Sequence, residues 1–259
     1  MTRYFKNEMK RALLGKSALI SFLIALVVLV ISFLAFLGFP HYNVFWLKRS
    51  KDAIDVFINI RDNLVVIFPL LATIIFSDSY LLEKQTGFTK FIYSRMSLKR
   101  YVWIKFTVNA LTSAVVGCAA SFIMLVFLIF TYGIGIRFAT ERAIGPFSYL
   151  LSSNRLGYGL IVVLTTGLCY MTMATLAMGL SAWIKNRYLV LIIPFFYYIL
   201  CGTLLEILGV NFIFNLNLAQ VYGLNYISTW QFLLYPILLV LLGFSLFYRG
   251  VILKNEKDL

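Results

Sequence analysis

The side chains that could carry chemistry in this sequence are few and far apart. The one histidine, His41, has no second histidine with which to share a metal ion, and a zinc site of the usual kind takes several His or Cys ligands at close spacing. The three cysteines, Cys118, Cys169 and Cys201, stand inside apolar stretches and are odd in number. They are more typical of small packing residues than of a disulfide or metal framework. We therefore predict no metal and no cofactor bound by this chain.

Motifs of catalysis and nucleotide binding are missing from the sequence. A serine nucleophile of the hydrolase kind stands in a Gly-x-Ser-x-Gly turn, and a phosphate-binding loop reads Gly-x-x-x-x-Gly-Lys-Ser/Thr. Neither pattern occurs. We predict that the chain is not an enzyme by itself and does not hydrolyse ATP.

The composition of the chain indicates that its secondary structure consists of membrane-spanning helices. The 259 residues are 61% hydrophobic and only 13% charged, which is too apolar for an ordinary soluble domain. A bilayer core of about 30 Å requires about 20 apolar residues per helix. A stretch from Asn63 to Leu82, interrupted only at Asp78, comes close to that length. Five charge-free stretches also meet or approach it: Ser17–Leu47, Phe106–Ile136, Leu156–Ile184, Tyr188–Leu205 and Ile207–Tyr248. The sequence predicts an all-α membrane protein with six transmembrane helices in a single domain, residues 1–259.

The net charge of +13 is distributed unevenly between the two ends of these spans. With both termini on one side of the membrane, 16 of the 23 Lys and Arg residues fall on that side and 7 on the other. Lys and Arg concentrate on the cytoplasmic side of membrane proteins. We therefore predict that the N- and C-termini are cytoplasmic. The basic balance is then a signal of topology, and we expect no nucleic acid among the partners.

Residues 1–16 combine apolar and basic positions at helical spacing. Phe5, Met9, Ala12 and Leu13 share one face, and the basic residues lie away from it. A helix of this kind lies in the headgroup region, in contact with membrane lipid. We predict an N-terminal interfacial helix, followed by a retained first span, since the apolar run after it is too long for a signal peptide.

The connections after the first span are predicted to be short. We interpret Pro40–Arg61 as an outer loop, and we expect the second span, Asn63–Leu82, to kink at Pro69. The fourth span, Gly157–Ile184, is rich in small residues that let helices approach closely.

The long uncharged stretch near the C-terminus has polar residues in its first half, from Asn211 to Ser228. Two full crossings there would leave the C-terminal cations outside, against the positive-inside bias. Backbone that enters a membrane and returns is tolerated where protein buries it or water lines it. We predict a re-entrant element at Val210–Trp230 and a sixth span at Phe232–Tyr248.

Two carboxylates, Asp78 and Glu206, lie in or beside the predicted spans. A carboxylate at the centre of a bilayer costs roughly 2.5–3.5 kcal/mol on insertion scales. Each has two interpretations. It is an ordinary headgroup-level or paired carboxylate, or it belongs to a substrate path or gate.

The segment from Glu83 to Lys105 is the longest predicted cytoplasmic loop, and it has an internal pattern. Gly87 allows a turn after the second span. Phe88, Phe91 and Ile92 then fall at i, i+3 and i+4, which predicts a short helix with one apolar face. Further on, Ser97 is a candidate N-cap for a second short helix that carries Arg100 into the third span. An exposed aromatic face beside a membrane can lie on lipid or bind a groove in another protein.

These residues resemble the ABC-2 family of transporter permeases. The resemblance lies in Glu83 followed by Gly87, in the Phe91-Ile92 face, in Ser97-x-x-Arg100 and in Lys105 at the start of the third span. The layout of interfacial leader, six spans and re-entrant element agrees over nearly the full length. Many members have a proline just before the second loop helix, where this chain has Arg95-Met96.

The resemblance implies that the segment 83–105 carries a coupling helix seated in a cleft of an ABC ATP-binding subunit. It further implies two permease chains, alike or different, with two such subunits that bind ATP and Mg. Phe88, Phe91 and Ile92 would anchor the helix, and Glu83 with Arg100 would hold the loop to its neighbours. Substrate would cross the cytoplasmic membrane of a bacterium between the permease chains. An apolar, aromatic-rich bundle suits an amphiphile, and export of an amphipathic peptide is our first expectation.

Other functions stay open at this point. The exported amphiphile could be a lipid or a lipid-linked glycan. The chain could also be an ion-coupled carrier or channel that uses Asp78 and Glu206, although carriers usually show paired repeats. A membrane-embedded enzyme is the least supported, because the residues it needs are missing.

Overall fold

The computed structural model describes residues 2–38, 51–135, 145–204, 207–209, 217–224 and 229–255. These residues are almost entirely helical and contain no strand. The helices are α1 (Thr2–Leu13), α2 (Lys16–Leu37), α3 (Ala53–Arg61), α4 (Phe68–Ile74), α5 (Ser79–Gln85), α6 (Phe88–Tyr93), α7 (Leu98–Tyr132), α8 (Ser148–Ser153), α9 (Arg155–Ser181), α10 (Arg187–Ile199), α11 (Leu218–Gly223) and α12 (Thr229–Asn255). A 3₁₀ turn at Asp62–Val65 follows α3, and a π turn at Leu200–Leu204 follows α10.

Four of these helices are long and apolar enough to span a membrane. They are α2, α7, α9 and the Phe232–Leu253 part of α12. A fifth span is provided by the pair Ala53–Val65 and Phe68–Gln85 if its two parts, bent by 70°, are taken together. The remaining apolar helix, Arg187–Thr203, is shorter. The described residues thus confirm an all-helical architecture with several helices long and apolar enough to span a membrane, and the count of six spans stays a prediction.

The helix α9 lies at the centre of the bundle, packed against α4, α7, α10 and α12. Its small residues explain the closeness of this packing. A Cβ on Gly179 would lie 2.6 Å from the backbone oxygen of Gly243 in α12. A Cβ on Gly167 would lie 2.3 Å from the sulfur of Cys118 in α7. The small residues predicted to let spans approach are thus at direct helix contacts.

The bundle has two ends that carry different polar groups. At one, which we call the α6 end, Gln85 donates a hydrogen bond to the carbonyl of Lys185, so the α5–α6 turn lies beside the turn between α9 and α10. At the other, the α8 end, Arg155 pairs with Asp52, and the amide of Ala53 donates to the carbonyl of Gly133.

The interpretation of residues 53–61 as part of an outer loop is wrong. They form α3, whose apolar residues Ile54, Phe57 and Ile60 are buried in the core. Asp52 caps this helix, because its side chain accepts a hydrogen bond of 3.0 Å from the amide of Asp55. The predicted kink lies close to its expected place: Pro69 stands in the first turn of α4, just after the break, where proline is compatible with a helix.

Predictions for the two ends of the chain have different outcomes. Residues 2–13 are helical, but α1 packs against α2 and α7 and buries Ala12, so it is more than a helix lying on lipid. In the predicted re-entrant element, 210–216 and 225–228 lie outside the described residues. Within it, Leu218–Gly223 is a short helix, and Thr229 already belongs to the last helix.

Candidate functional site

The segment after the second span turns sharply at Gly87. This residue has a φ of +73°, in the left-handed region that glycine adopts without strain. The turn ends α5 and begins α6, so that α6 runs as a separate six-residue helix at the end of the bundle. The short helix expected from the spacing of apolar residues is therefore present.

The two phenylalanines of α6 point outward and its isoleucine points inward. Phe91 is 68% exposed and Phe88 is 49% exposed, whereas Ile92 is 7% exposed and belongs to the core. Lys90 is exposed on the same helix. The outer surface of α6 thus presents two aromatic rings beside a cation, a combination suited to contact with another molecule.

Beneath this segment lies a cluster of charged residues drawn from three helices. Lys105 of α7 is fully buried, and its Nζ lies 2.6 Å from Oε2 of Glu8 and 2.5 Å from Oε1 of Glu83. Arg11 donates to the same Glu83 oxygen at 2.6 Å. Tyr101 donates its hydroxyl to the other Glu83 oxygen at 2.6 Å. We call Glu8, Arg11, Glu83, Tyr101 and Lys105 the charge cluster.

The charges of this cluster balance each other at close range. Two carboxylates face two cations, and the ring of Phe76 lies 4.9 Å from the Lys105 ammonium and 5.4 Å from the Arg11 guanidinium. Burial alone would lower the pKa of Arg11. The hydrogen bond to Glu83 and the charge of Glu8 outweigh burial, and the pKa of Arg11 is raised above its ordinary value.

The geometry makes the charge cluster a mechanical link. Glu8 lies on α1, Glu83 on α5 and Lys105 on α7, so one group of ion pairs fixes three helices to each other. Removing one partner of a buried ion pair is strongly destabilising, because the other charge then stays buried without compensation. The helix α5, which leads into α6, is therefore held firmly to α1 and to the long helix α7.

The sequence predicted Glu83 as a residue that holds the loop, but not its partners. Arg100 is exposed on α7 and is not among the groups that bind Glu83. Glu8 and Arg11 were missed. One pattern in the sequence could have indicated them. Glu8 is the sole acidic residue among the first 16, and Arg11 follows three positions later on the same helical face.

The predicted second loop helix is not separate from the third span. Ser97 precedes α7 directly, and α7 continues without a break from Leu98 to Tyr132. Arg100 and Lys105 are thus parts of one long helix, which can transmit a displacement from this end of the bundle to the other.

The two carboxylates proposed for a substrate path or gate have different outcomes. Asp78 is buried and forms an ion pair with Nε of Arg187 at the start of α10. This contact agrees with the interpretation as a paired carboxylate at the end of a span. Glu206 lies outside the described residues.

The described parts of the chain bring together no group of three or more His, Cys, Asp and Glu side chains that could hold a metal ion. The α6 end instead has an exposed aromatic surface on α6, joined to the buried ion pairs of the charge cluster.

Comparison with known proteins identifies no relative of this chain. No family model matches it, and neither does any curated protein or solved structure.

Proposed function

We propose that this chain is the permease subunit of an ATP-driven ABC exporter in a bacterial cytoplasmic membrane. Its substrate would be an amphipathic or hydrophobic molecule, with a peptide as the first candidate. Several long apolar helices, typical of a membrane-spanning protein, support this proposal. The proposal adds the energy source and the partner.

The observation that carries this proposal is the exposure of Phe88 and Phe91 on a helix anchored by buried ion pairs. Among the residues that the structure describes, the hydrophobic core includes neither of these two rings, although both lie on the same six-residue helix. Aromatic side chains are typical anchors of protein interfaces. A cleft in an ATP-binding subunit would cover them, and its movement would be passed on through Glu83 and Lys105.

The charge cluster supports a lever mechanism. In an assembly of two permease chains and two ATP-binding subunits, closure of the latter around ATP and Mg would displace α6. Because Glu83 is held by Lys105 and Arg11, that displacement would move α1, α5 and α7 together.

The alternative of an ion-coupled carrier gains no support from the residues it would use. Its ion path was assigned to Asp78 and Glu206, and Asp78 is already neutralised by Arg187. Export of a lipid or lipid-linked glycan shares the same α6 interface and differs only in the substrate.

The experiment that tests the proposal is purification of the tagged chain from its native membrane in mild detergent, with mass spectrometry of co-purifying proteins. We expect a stoichiometric ATP-binding subunit with the wild-type chain and its loss with Phe91→Asp. Tyr188→Asp is the matched control, because Tyr188 is an exposed aromatic residue near the α6 end. A chain that purifies alone, or a subunit that stays bound to Phe91→Asp, would contradict the proposal.

A further inference from the structure

The break in the second span presents two polar side chains on the surface of the bundle. Asp62 and Asn63 lie in the 3₁₀ turn that follows α3, a few residues before the 70° bend between Val65 and Phe68. Both side chains are exposed, and in the described part of the chain neither makes a hydrogen bond or an ion pair. Val66, just after the turn, is 58% exposed, whereas Leu64 within the turn is buried, so Asp62 and Asn63 lie on the outer side of the turn.

If Ala53–Val65 and Phe68–Gln85 form one broken span, this turn lies at the depth of the hydrocarbon core. Arg61 donates to the carbonyl of Val162 in α9. Val162 lies seven residues along that helix from Arg155, which forms the ion pairs at the α8 end. At 1.5 Å per residue, the turn is about 10 Å deeper than those ion pairs. From the opposite side, the carbonyl of Val65 accepts from the hydroxyl of Tyr198, about 16 Å along α10 from Arg187. Neither distance places the turn at a membrane surface.

The neighbouring Arg61 attracts the Asp62 carboxylate electrostatically but forms no ion pair with it. Arg61 is fully buried, and its guanidinium donates to the carbonyls of Val162 and Tyr222. The ring of Tyr222 covers it at 4.5 Å. The cation thus points into the bundle, bound by carbonyl oxygens and an aromatic face, while the Asp62 carboxylate is presented outside.

An exposed carboxylate at this depth requires a partner. Against lipid tails it would be costly. Against the same residue of a second copy it would face a like charge, which is also unfavourable. A primary ammonium relieves both costs, since it has three donors for which the Asp62 carboxylate and the Asn63 amide oxygen supply acceptors.

We infer that Asp62, with Asn63 beside it, binds a primary ammonium group of the amphiphile that passes along this surface. This inference rests on the proposed export function and narrows its substrate to a cationic amphiphile, with a lysine-bearing amphipathic peptide as the occupant. An aminolipid headgroup presents the same chemistry. Asp62 is then the residue that selects for positive charge.

The test is direct binding to the full-length chain in lipid nanodiscs, with whatever subunit co-purifies. The probe is a fluorescent amphipathic helical peptide with leucines on one face and lysines on the other, compared with a counterpart that carries glutamine in place of each lysine. In anionic discs free of aminolipid, we expect the wild type to bind the lysine peptide about fivefold more tightly than Asp62→Asn does. Affinity for the glutamine peptide should be equal for both proteins.

Two further variants separate recognition from folding. Asp62→Glu keeps the charge and should keep most of the preference, whereas Asn63→Ala should weaken it less than Asp62→Asn. Neither Asp62 nor Asn63 makes a hydrogen bond or an ion pair in the described part of the chain, so all three variants should still fold, which is checked by their unfolding temperatures. Equal affinity of wild type and Asp62→Asn for the lysine peptide would overturn the inference.

The source of the ammonium is decided by a second set of discs that contain phosphatidylethanolamine. Retention of the preference for the lysine peptide supports a peptide occupant. Loss of the preference in those discs would assign the site to a lipid headgroup and overturn the peptide assignment. Peptide binding does not depend on an ATP-binding subunit. A failure of the peptide-binding test is therefore distinguishable from a failure of the export proposal, because the export proposal is decided by co-purification.

Discussion

The ammonium of Lys105 lies 2.5 Å from Oε1 of Glu83, and both side chains are buried. Glu83 lies near the end of α5 and Lys105 lies in the first turns of α7, so their contact joins the two ends of the segment that carries α6. Glu8 binds the same ammonium from α1 at 2.6 Å. The lever mechanism proposed above requires that a force on α6 be transmitted through this contact to α1, α5 and α7, which is open to mutational test.

Replacing Lys105 with methionine should destabilise the protein strongly. The change keeps the length of the side chain but leaves Glu8 and Glu83 with Arg11 as their remaining cation. The loss of one partner from a buried pair costs about 3–5 kcal/mol. The measurement is the free energy of unfolding in detergent, with Lys99→Met as control, because Lys99 is exposed on the same helix.

A double variant tests whether the loss is due to charge. Glu83→Gln in the Lys105→Met background removes the uncompensated carboxylate, so the double variant should be more stable than the sum of the two single changes predicts. If the effects simply add, the two residues do not act as a pair.

Ile92 and Phe91 should separate stability from partner binding. Ile92 is 7% exposed and Phe91 is 68% exposed on the same short helix. Ile92→Ala should therefore lower the free energy of unfolding by about 2 kcal/mol or more through lost burial. Phe91→Ala should leave that free energy nearly unchanged and reduce the yield of the co-purifying subunit.

The contrary result would be equal destabilisation by both alanine changes. Phe91 would then be packed in a way that its exposure excludes, and its role as an interface anchor would be lost. A loss of the subunit with Ile92→Ala alone would point to unfolding of α6 as the cause.

The local features of this region were predictable because they depend on residues close in sequence. The i, i+3, i+4 spacing of Phe88, Phe91 and Ile92 predicts α6, and Gly87 predicts the turn before it. Which of the three apolar residues is buried could not be predicted. The burial of each residue depends on how α6 packs against α7. This is a tertiary contact, and the spacing of apolar residues within α6 does not indicate it.

The features that were missed depend on residues distant in sequence. Lys105 and Glu8 are 97 positions apart, and a single sequence gives no sign that they meet. For α3, the charges at Asp52, Asp55 and Arg61 are typical of a loop, and they hid the apolar face between them. The structure compensates these charges through Arg155 and through backbone carbonyls of other helices, so a charged helix can be buried.

The contact between α9 and α12 should tolerate no side chain at Gly179. A Cβ there would meet the backbone oxygen of Gly243 at 2.6 Å, and neither backbone can move away cheaply. Gly179→Leu should reduce the yield of folded protein, measured by size-exclusion chromatography, and lower its unfolding temperature. Gly135→Leu is the control, because a Cβ at Gly135 meets nothing within 4 Å. Equal behaviour of the two variants would show that the helices are not in close contact at Gly179.

The orientation of the bundle can be measured with cysteines placed at its two ends. In a chain whose three cysteines are replaced by alanine, Ser94→Cys places a thiol beside α6 and Ser152→Cys places one in α8. Both serines are exposed. The positive-inside bias predicts that the α6 end is cytoplasmic. A membrane-impermeant maleimide on intact cells should therefore label Ser152→Cys, and Ser94→Cys only after permeabilisation. The reverse pattern would place α6 outside the cell, where no ATP-binding subunit can reach it, and would exclude the permease function.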